Sequence, residues 1–195
     1  MEKFTLQVIS TLVKSHDREF IWKVRGYENL EAMEQDYIKK YNSIVNQDDD
    51  VYILGDLMLG PNSERTLELI RQLNGKLHLV RGNHDTDTRW KRYEELPNVV
   101  SMTEGQFLKY GKYHFYLSHF PCMTGNLEKE SLKQMTLNLY GHTHQKSNFY
   151  NDIPYMYHVG VDSHDGYPVA ADTIIKEMYE KMEECKSFLD ESEAE

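Results

Sequence analysis

Glycine with a polar residue one or two positions after it recurs at four points of the 195-residue sequence, each time after a short apolar run. The four segments are Gly55-Asp56, Gly82-Asn83-His84-Asp85, Gly141-His142-Thr143-His144, and Gly160 in "HVGVD". Glycine lets the backbone turn sharply and leaves room beside it for a ligand. The segments therefore indicate places where polar side chains follow strand ends and could meet around a ligand.

The polar side chains of these segments include types that bind metal ions. The candidates are Asp56, Asn83, His142 and His144, together with His119 of "LSHFP". In open α/β sheets, ligands bind outside the carboxyl ends of the strands, so we expect these side chains to converge. A set of carboxylate, amide and imidazole groups without thiolate suits Mn²⁺, Fe or Zn²⁺ better than softer metals.

Each candidate residue taken alone also has an ordinary structural interpretation. Asp56 after a glycine is more often a turn or cap residue, and His119 alone would more often be a buried, hydrogen-bonded histidine. The segment "GHTH" is stronger, because two histidines one residue apart can reach the same side of an extended chain. The conjunction of all the segments, each at a strand end, favours a metal site.

The hydrophobic pattern predicts the elements that must position these side chains. Strands are expected in "FTLQVIS", "DDDVYILGD" and "KLHLVRGNHD", with helices over 29–46, capped by Asn29, and over 61–75. This alternation of strands and helices indicates an α/β layer arrangement. Further strands are expected in "VVSMTEGQFLKYGKYHFYLSH", "LNLYGHTH" and "YMYHVGVDS", with a turn at Tyr110–Gly111. An amphipathic helix closes what we predict to be a single domain over 1–195, with a frayed acidic tail over 190–195.

Composition and charge exclude several classes of protein. The net charge of −10, from 22 basic and 32 acidic side chains, argues against an extended nucleic-acid surface. The two cysteines, Cys122 and Cys185, indicate neither a disulfide framework nor a zinc knuckle. The sequence starts without the pattern of a signal peptide and has no apolar run long enough for a membrane span, so we expect a soluble cytoplasmic protein.

The order G-D, G-N-H-D, H, G-H-x-H resembles that of the metallophosphoesterases, also called calcineurin-like phosphoesterases. The resemblance covers nearly the whole chain and is greatest to short, single-domain bacterial or phage-type members. It implies a four-layer α/β/β/α sandwich with two metal ions at the strand ends. It also implies hydrolysis of phosphomonoesters or phosphodiesters, with a small phosphate ester as substrate and a nucleotide among the candidates.

The resemblance implies a role for each metal candidate. Asp56 would bridge both ions, and the second ion would also take Asn83, His119 and His142. The first ion would take His144 and an opening D-x-H motif.

The two residues that follow Asn83 would act on the substrate, if the resemblance holds. The imidazole of His84 would polarise the phosphate or protonate the leaving group. Asp85 beside it could hold that imidazole in place, as acid–histidine pairs do.

The opening stretch departs from the family pattern. Family members often read I-S-D-x-H-F-G-H at the end of the first strand, where this chain reads "ISTLVKSH". An ungapped comparison places Thr11 at the position of the metal aspartate and Val13 at that of the metal histidine. Valine cannot bind a metal, and threonine is a weak neutral ligand. The first site is therefore predicted to lack two of its usual four protein ligands.

Three outcomes of this departure stay open. The chain could work with one ion, it could rebuild the first site with His16 or Asp17 as substitute ligands, or it could bind a phosphate compound or a protein without cleaving it. The leading hypothesis is a metal-dependent phosphoric ester hydrolase with one or two ions of Mn, Fe or Zn per chain. The alternative is a catalytically weak or inactive binding module on the same fold.

Overall fold

The computed structural model describes residues 6–10, 19–57, 63–126, 129 and 131–193. Thr11, Val13, His16 and Asp17 of the opening loop lie outside these described residues, so the predictions about them stay predictions. Within the described part of the chain, no helix is both long enough and apolar enough to cross a membrane.

The described residues form nine strands and five α-helices. In chain order the elements are β1 (Leu6–Ile9), α1 (Glu19–Val24), α2 (Leu30–Ile44), β2 (Asp50–Leu54), α3 (Ser63–Arg71), β3 (Lys76–Val80), α4 (Asp87–Tyr93), β4 (Val99–Thr103), β5 (Gln106–Tyr110), β6 (Tyr113–Ser118), β7 (Thr136–Tyr140), a 3-10 turn (Tyr150–Asp152), β8 (Met156–His158), β9 (Val169–Ala170) and α5 (Ala171–Glu193). The predicted α/β/β/α class is confirmed as a mixed α/β fold of two sheets with helices.

The two sheets place their strand ends at a common edge. The first sheet has the order β4-β3-β2-β1-β9, in which β1 to β4 are parallel and β9 is antiparallel to β1. The second has the order β5-β6-β7-β8, in which β6, β7 and β8 are parallel. A parallel bridge between Ser10 and Gly160 joins the chain just after β1 to the chain just after β8. The carboxyl ends of strands from both sheets are therefore brought together.

Helix α2 begins and packs as its sequence predicts. The side-chain oxygen of Asn29 accepts a hydrogen bond from the backbone N–H of Ala32 at 2.8 Å, which confirms the predicted cap. Met33, Tyr37 and Tyr41 recur every fourth residue and are buried against the sheet.

Helix α3 is shorter than the predicted 61–75 and ends at Arg71. The chain after it turns toward β3 because Asn74 is bound to α2. The Asn74 backbone N–H donates to the side-chain oxygen of Asn42 at 2.9 Å, and the Tyr41 hydroxyl donates to the Asn74 carbonyl at 2.9 Å.

The core consists of two clusters, one on each face of the first sheet. Alternate side chains of a strand point to opposite faces, so Ile53 packs under the helices while Leu54 faces the second sheet. The second cluster combines Leu54 with Phe115, Leu137 and Ile174, which belong to β6, β7 and α5. This packing holds the two sheets face to face and fixes the relative positions of their strand ends.

A buried histidine ends β8. His158 is 1% exposed, and its Nδ1 lies 2.9 Å from the hydroxyl of Ser163. Burial lowers the pKa of His158 to about 4, because the charged ring would lose its hydration.

This lowered pKa predicts that acid destabilises the fold. The unfolded chain takes up a proton near pH 6.5, whereas folded His158 stays neutral down to about pH 4, so stability falls as the pH decreases between these values. Between pH 7 and pH 5 the loss should be roughly 2 kcal/mol. Urea unfolding of metal-free protein at both pH values should detect it, and His158→Gln should remove this contribution while it leaves that of His164, whose pKa burial also lowers. The matched variant His114→Gln, at an exposed histidine, should leave the pH dependence unchanged.

Candidate metal centre

Four of the sequence-predicted residues meet where β2, β3, β6 and β7 end. Asp56 Oδ2 lies 3.5 Å from His119 Nε2, and Asn83 Oδ1 lies 2.8 Å from that same nitrogen. His142 Nδ1 lies 3.1 Å from Asn83 Oδ1 and 3.2 Å from His119 Nε2. These four ligand atoms therefore surround one point at the common edge of the sheets.

The ring of His119 is fixed in the orientation that a metal ligand needs. The residue is buried, and its Nδ1 lies 2.9 Å from the backbone carbonyl of Leu54, which can only accept a hydrogen bond. Nδ1 must then carry the hydrogen, so the Nε2 of the neutral ring presents a lone pair to the centre. It faces Asn83 Oδ1, which also offers lone pairs, and His142 Nδ1, which offers one in the tautomer that carries its hydrogen on Nε2. A cation at this point would satisfy all of them.

The spacing of the ligand atoms fits a single transition metal. Ligand atoms about 2.1 Å from an ion lie about 3.0 Å apart in octahedral and about 3.4 Å apart in tetrahedral geometry. The separations around His119 Nε2, which run from 2.8 Å to 3.5 Å, are centred on these values. Burial, helped by the neighbouring His119, also lowers the pKa of His142 and favours the neutral form that binds metal.

Three of the metal candidates have strained backbone conformations. Asp56, His142 and His144 have φ angles of 54°, 60° and 49°. This left-handed region is uncommon for residues other than glycine, and residues held there cluster at functional sites. All three residues lie in loops that directly follow a strand.

The glycines of the G-D and G-N-H-D segments are required by close contacts. A Cβ atom on Gly82 would lie 2.3 Å from the backbone nitrogen of Asp56, and one on Gly55 would lie 2.3 Å from His119 Nδ1. Neither position can hold a side chain without displacing a metal candidate. Both glycines therefore allow the residues of the centre to pack closely together. Gly55 also allows a turn, because its φ of +85° is a conformation that favours glycine.

His84 lies beside the centre without joining the group of ligand atoms. Its backbone N–H donates to Asp56 Oδ1 at 2.9 Å, and the Arg89 side chain donates to its carbonyl at 2.6 Å. The residue is exposed. The structure thus fixes the backbone of His84 next to a metal candidate and leaves the residue open to solvent.

Asp85 is placed differently from the sequence-based expectation. Its Oδ2 accepts hydrogen bonds from the backbone N–H groups of Asp56 and Gly82, both at 2.8 Å, and its Oδ1 accepts one from the Tyr93 hydroxyl at 3.1 Å. Among the described residues, no hydrogen bond joins Asp85 to the imidazole of His84. The carboxylate points into the protein and joins the loops after β2 and β3. Burial raises its pKa, and these hydrogen bonds oppose the increase.

Removal of the Asp85 carboxylate should therefore lower stability. Asp85→Ala leaves two backbone N–H groups and one hydroxyl without their acceptor, and each loss costs about 1–3 kcal/mol. We expect the free energy of unfolding to fall by about 3 kcal/mol in urea unfolding of metal-free protein. Asp87→Ala, two residues away at an exposed position, is the matched control and should cost far less, because an exposed ion pair contributes little to stability. Equal effects of the two variants would contradict this role for Asp85.

His144 lies outside the group formed by Asp56, His119 and His142, whose ligand atoms are within 4.8 Å of one another. Its Nδ1 lies 2.8 Å from Asp162 Oδ2. Arg25 in turn donates three hydrogen bonds of 2.6–2.8 Å to the Asp162 carboxylate. A carboxylate that orients an imidazole in this way is typical of metal-binding histidines.

Asp162 and Arg25 are the residues that sequence reasoning missed. Asp162 follows Gly160 in the fourth glycine segment, so an acid after a strand-end glycine was the available signal. No comparable signal marks Arg25, which is 137 positions away from Asp162 in the sequence.

Comparison with known protein families identifies a family that the chain matches over most of its length. Residues 33–161 match a family model described as the calcineurin-like phosphoesterase superfamily domain. The match includes every predicted metal residue from Asp56 to His144 and begins after the opening loop with Thr11 and Val13.

Individual relatives match this chain over most of its length. An uncharacterized protein of Methanocaldococcus jannaschii is 31% identical over 162 residues, which cover 78% of this chain and 78% of that protein. The Gene 66 protein of Mycobacterium phage L5 is 25% identical over 158 residues, which cover 70% of this chain and 76% of that protein. The crystal structure of a protein of unknown function from Aquifex aeolicus has the same fold, with a TM-score of 0.67 and 20% identity over 89% of this chain and 99% of that one. The chain therefore belongs to the calcineurin-like phosphoesterase superfamily of metal-dependent phosphoric ester hydrolases.

Proposed function

We propose that the protein hydrolyses small phosphomonoesters or phosphodiesters with a transition metal held by four side chains. These are Asp56, Asn83, His119 and His142. The observation that carries the proposal is the convergence of their lone pairs around one point, with the His119 ring fixed by the Leu54 carbonyl. The mixed oxygen and nitrogen ligands favour Mn²⁺, Fe or Zn²⁺.

The chemistry follows from the residues around that point. A bound metal supplies Lewis-acid polarisation of a phosphoryl oxygen and lowers the pKa of water. We propose that the exposed imidazole of His84 reaches the ester from beside Asp56 and donates a proton to the leaving oxygen. Asp85 acts indirectly, because it holds the two loops that carry Asp56 and Asn83.

The substrate is proposed to be small. The net charge of −10 disfavours a long polyanion such as nucleic acid, whereas a single phosphate group can still bind at a metal. A nucleotide remains a candidate. We also propose a cytoplasmic location and a single domain over 1–195, both of which rest on the sequence.

Metal stoichiometry tests the proposed arrangement. With Thr11 and Val13 at the opening positions, we expect about one firmly held ion per chain after reconstitution with manganese. The double variant Thr11→Asp with Val13→His should raise the content toward two ions, and either single change should do much less because the two ligands act together. Adding His144→Ala to the double variant should remove the second ion and keep the first.

Elemental analysis separates the alternatives for the opening loop. Two firmly held ions in the wild-type protein would contradict the one-metal interpretation and indicate His16 or Asp17 as substitute ligands. A double variant that folds but gains no metal would contradict the assignment of Thr11 and Val13 to ligand positions.

A binding module is the second candidate function, and the same two residues favour it. Loss of one ion from a two-metal site removes several kcal/mol of transition-state stabilisation. A weak or inactive member would still bind phosphate at its remaining metal. Manganese-loaded protein that binds inorganic phosphate but releases no nitrophenolate from bis(p-nitrophenyl) phosphate would favour this alternative.

A further inference from the structure

A cavity of about 470 Å³ lies directly beside the metal centre. Its lining includes Arg81, Asn83, Glu104, Tyr116, His119 and Phe120. Asn83 and His119 belong both to the cavity and to the metal centre. An ester whose phosphate binds at the metal would therefore have one of its organic groups next to this cavity. The volume is within the range of small-molecule sites.

Two aromatic side chains form walls of the cavity. Phe120 is 49% exposed, and its ring centroid lies 4.6 Å from that of His142. Tyr116 is half-buried, and Phe107 packs on it with ring centroids 4.9 Å apart. A Cβ atom on Gly105 would lie only 2.7 Å from the Tyr116 hydroxyl, so the tyrosine ring is closely held. The cavity thus offers one fixed ring and one exposed ring to a ligand.

The charges of the cavity argue against a second anionic group in it. Among the lining residues that the structure describes, Arg81 is the only cation, and it is paired with Glu104 at 3.2 Å and with Asp87. Asp85 also belongs to the lining, but its carboxylate is buried and accepts hydrogen bonds from within the protein. A polyphosphate or a second phosphodiester would meet the Glu104 carboxylate and an already paired cation. An uncharged ring would instead meet the aromatic walls and the Glu104 carboxylate, which can accept a hydrogen bond.

We propose that this cavity binds a flat, uncharged aromatic ring of the phosphate ester, with the chemistry of a nucleobase, and that Tyr116 and Phe120 select it by stacking. The inference rests on the proposed function, because it places the reacting phosphate at the metal centre. It narrows the substrate from phosphate esters in general to those that carry such a ring within reach of the phosphate.

Binding of two related phosphates to manganese-loaded protein tests the inference. AMP and ribose 5-phosphate carry the same phosphate on the same sugar, and only AMP carries a ring that can stack. Calorimetry should give an affinity for AMP about tenfold higher than that for ribose 5-phosphate, since one base stacked on an aromatic side chain contributes about this factor. Samples are assayed for released phosphate, so that turnover is not mistaken for heat of binding.

Substitutions of Tyr116 and Phe120 test whether these two rings cause the higher affinity for AMP. Tyr116→Leu and Phe120→Leu keep apolar bulk and remove one ring each, so each should lower the affinity for AMP toward that for ribose 5-phosphate. Manganese content is measured alongside, because Phe120 contacts the metal histidines. Tyr116→Phe keeps the ring and should keep the preference. Tyr167→Leu makes the same change at an exposed tyrosine outside the cavity lining and should also keep it.

The outcomes distinguish this inference from the proposed function. Equal affinities of the wild-type protein for AMP and ribose 5-phosphate would overturn the inference, and so would a preference that survives in both leucine variants. Hydrolysis of phosphate esters would still support the proposed function in that case. If neither compound binds and no phosphate ester is cleaved, the proposed function fails and this inference fails with it.

Discussion

Alanine at position 56 should yield a protein that holds no firmly bound metal and hydrolyses phosphate esters about a thousandfold more slowly than the wild type. The Asp56 carboxylate is the only charged ligand of the group at the centre, so its loss removes the main attraction for a cation. A bound metal contributes several kcal/mol to the transition state, and each 1.4 kcal/mol corresponds to about a tenfold change in rate. Elemental analysis and kcat/KM for bis(p-nitrophenyl) phosphate measure the two effects.

A second ligand variant and a matched control distinguish the loss of a metal ligand from damage to the fold. Asp56 is buried and its Oδ1 accepts from the His84 backbone, so Asp56→Ala also risks damage to the fold. His142→Ala removes a half-buried ligand from another loop and should give the same loss of metal. Asp48→Ala changes an exposed loop acid and should bind metal normally. Folded Asp56→Ala and His142→Ala proteins that retain metal would show the ligand assignment to be wrong.

His84→Ala should lower kcat about a hundredfold or more while the metal content stays that of the wild type. General acid catalysis by a positioned side chain contributes about 10²–10⁴-fold, and this histidine lies beside the centre without being one of its ligands. The loss should appear in kcat more than in KM, because the proton is needed only in the transition state. Steady-state kinetics and elemental analysis on the same preparation test both parts.

The matched control for this variant is His114→Ala. His114 is an exposed histidine on β6, and it should be replaceable without a change in kcat. A His84→Ala protein that hydrolyses bis(p-nitrophenyl) phosphate as fast as the wild type would remove His84 from the proposed mechanism.

The convergence of the metal candidates could be predicted because it depends on regular features of strands. Asp56, Asn83, His119 and His142 each follow a short apolar strand, and parallel strands bring their carboxyl ends to one edge. The helix cap at Asn29 was predictable for a similar reason, since capping depends on residues three positions apart.

Features that depend on distant contacts could not be predicted from the sequence. The pairing of Arg25 with Asp162 joins residues 137 positions apart, and no local pattern encodes it. The sequence puts Asp85 next to His84, but neighbouring residues in a tight turn point in different directions, and Asp85 points toward Tyr93 instead. The aromatic cavity near Tyr116 was also missed, because its walls come from separate strands and loops.

A titration of metal-free protein with manganese, followed by the rate of bis(p-nitrophenyl) phosphate hydrolysis, shows whether catalysis depends on the metal centre. We expect no measurable hydrolysis before metal is added. The rate should then rise in proportion to bound manganese and level off when about one ion is held per chain. Hydrolysis that proceeds equally well in the metal-free protein, or a rate that stays at zero after the site is filled, would contradict the assignment of this chain as a metal-dependent phosphoesterase with its centre at Asp56, Asn83, His119 and His142.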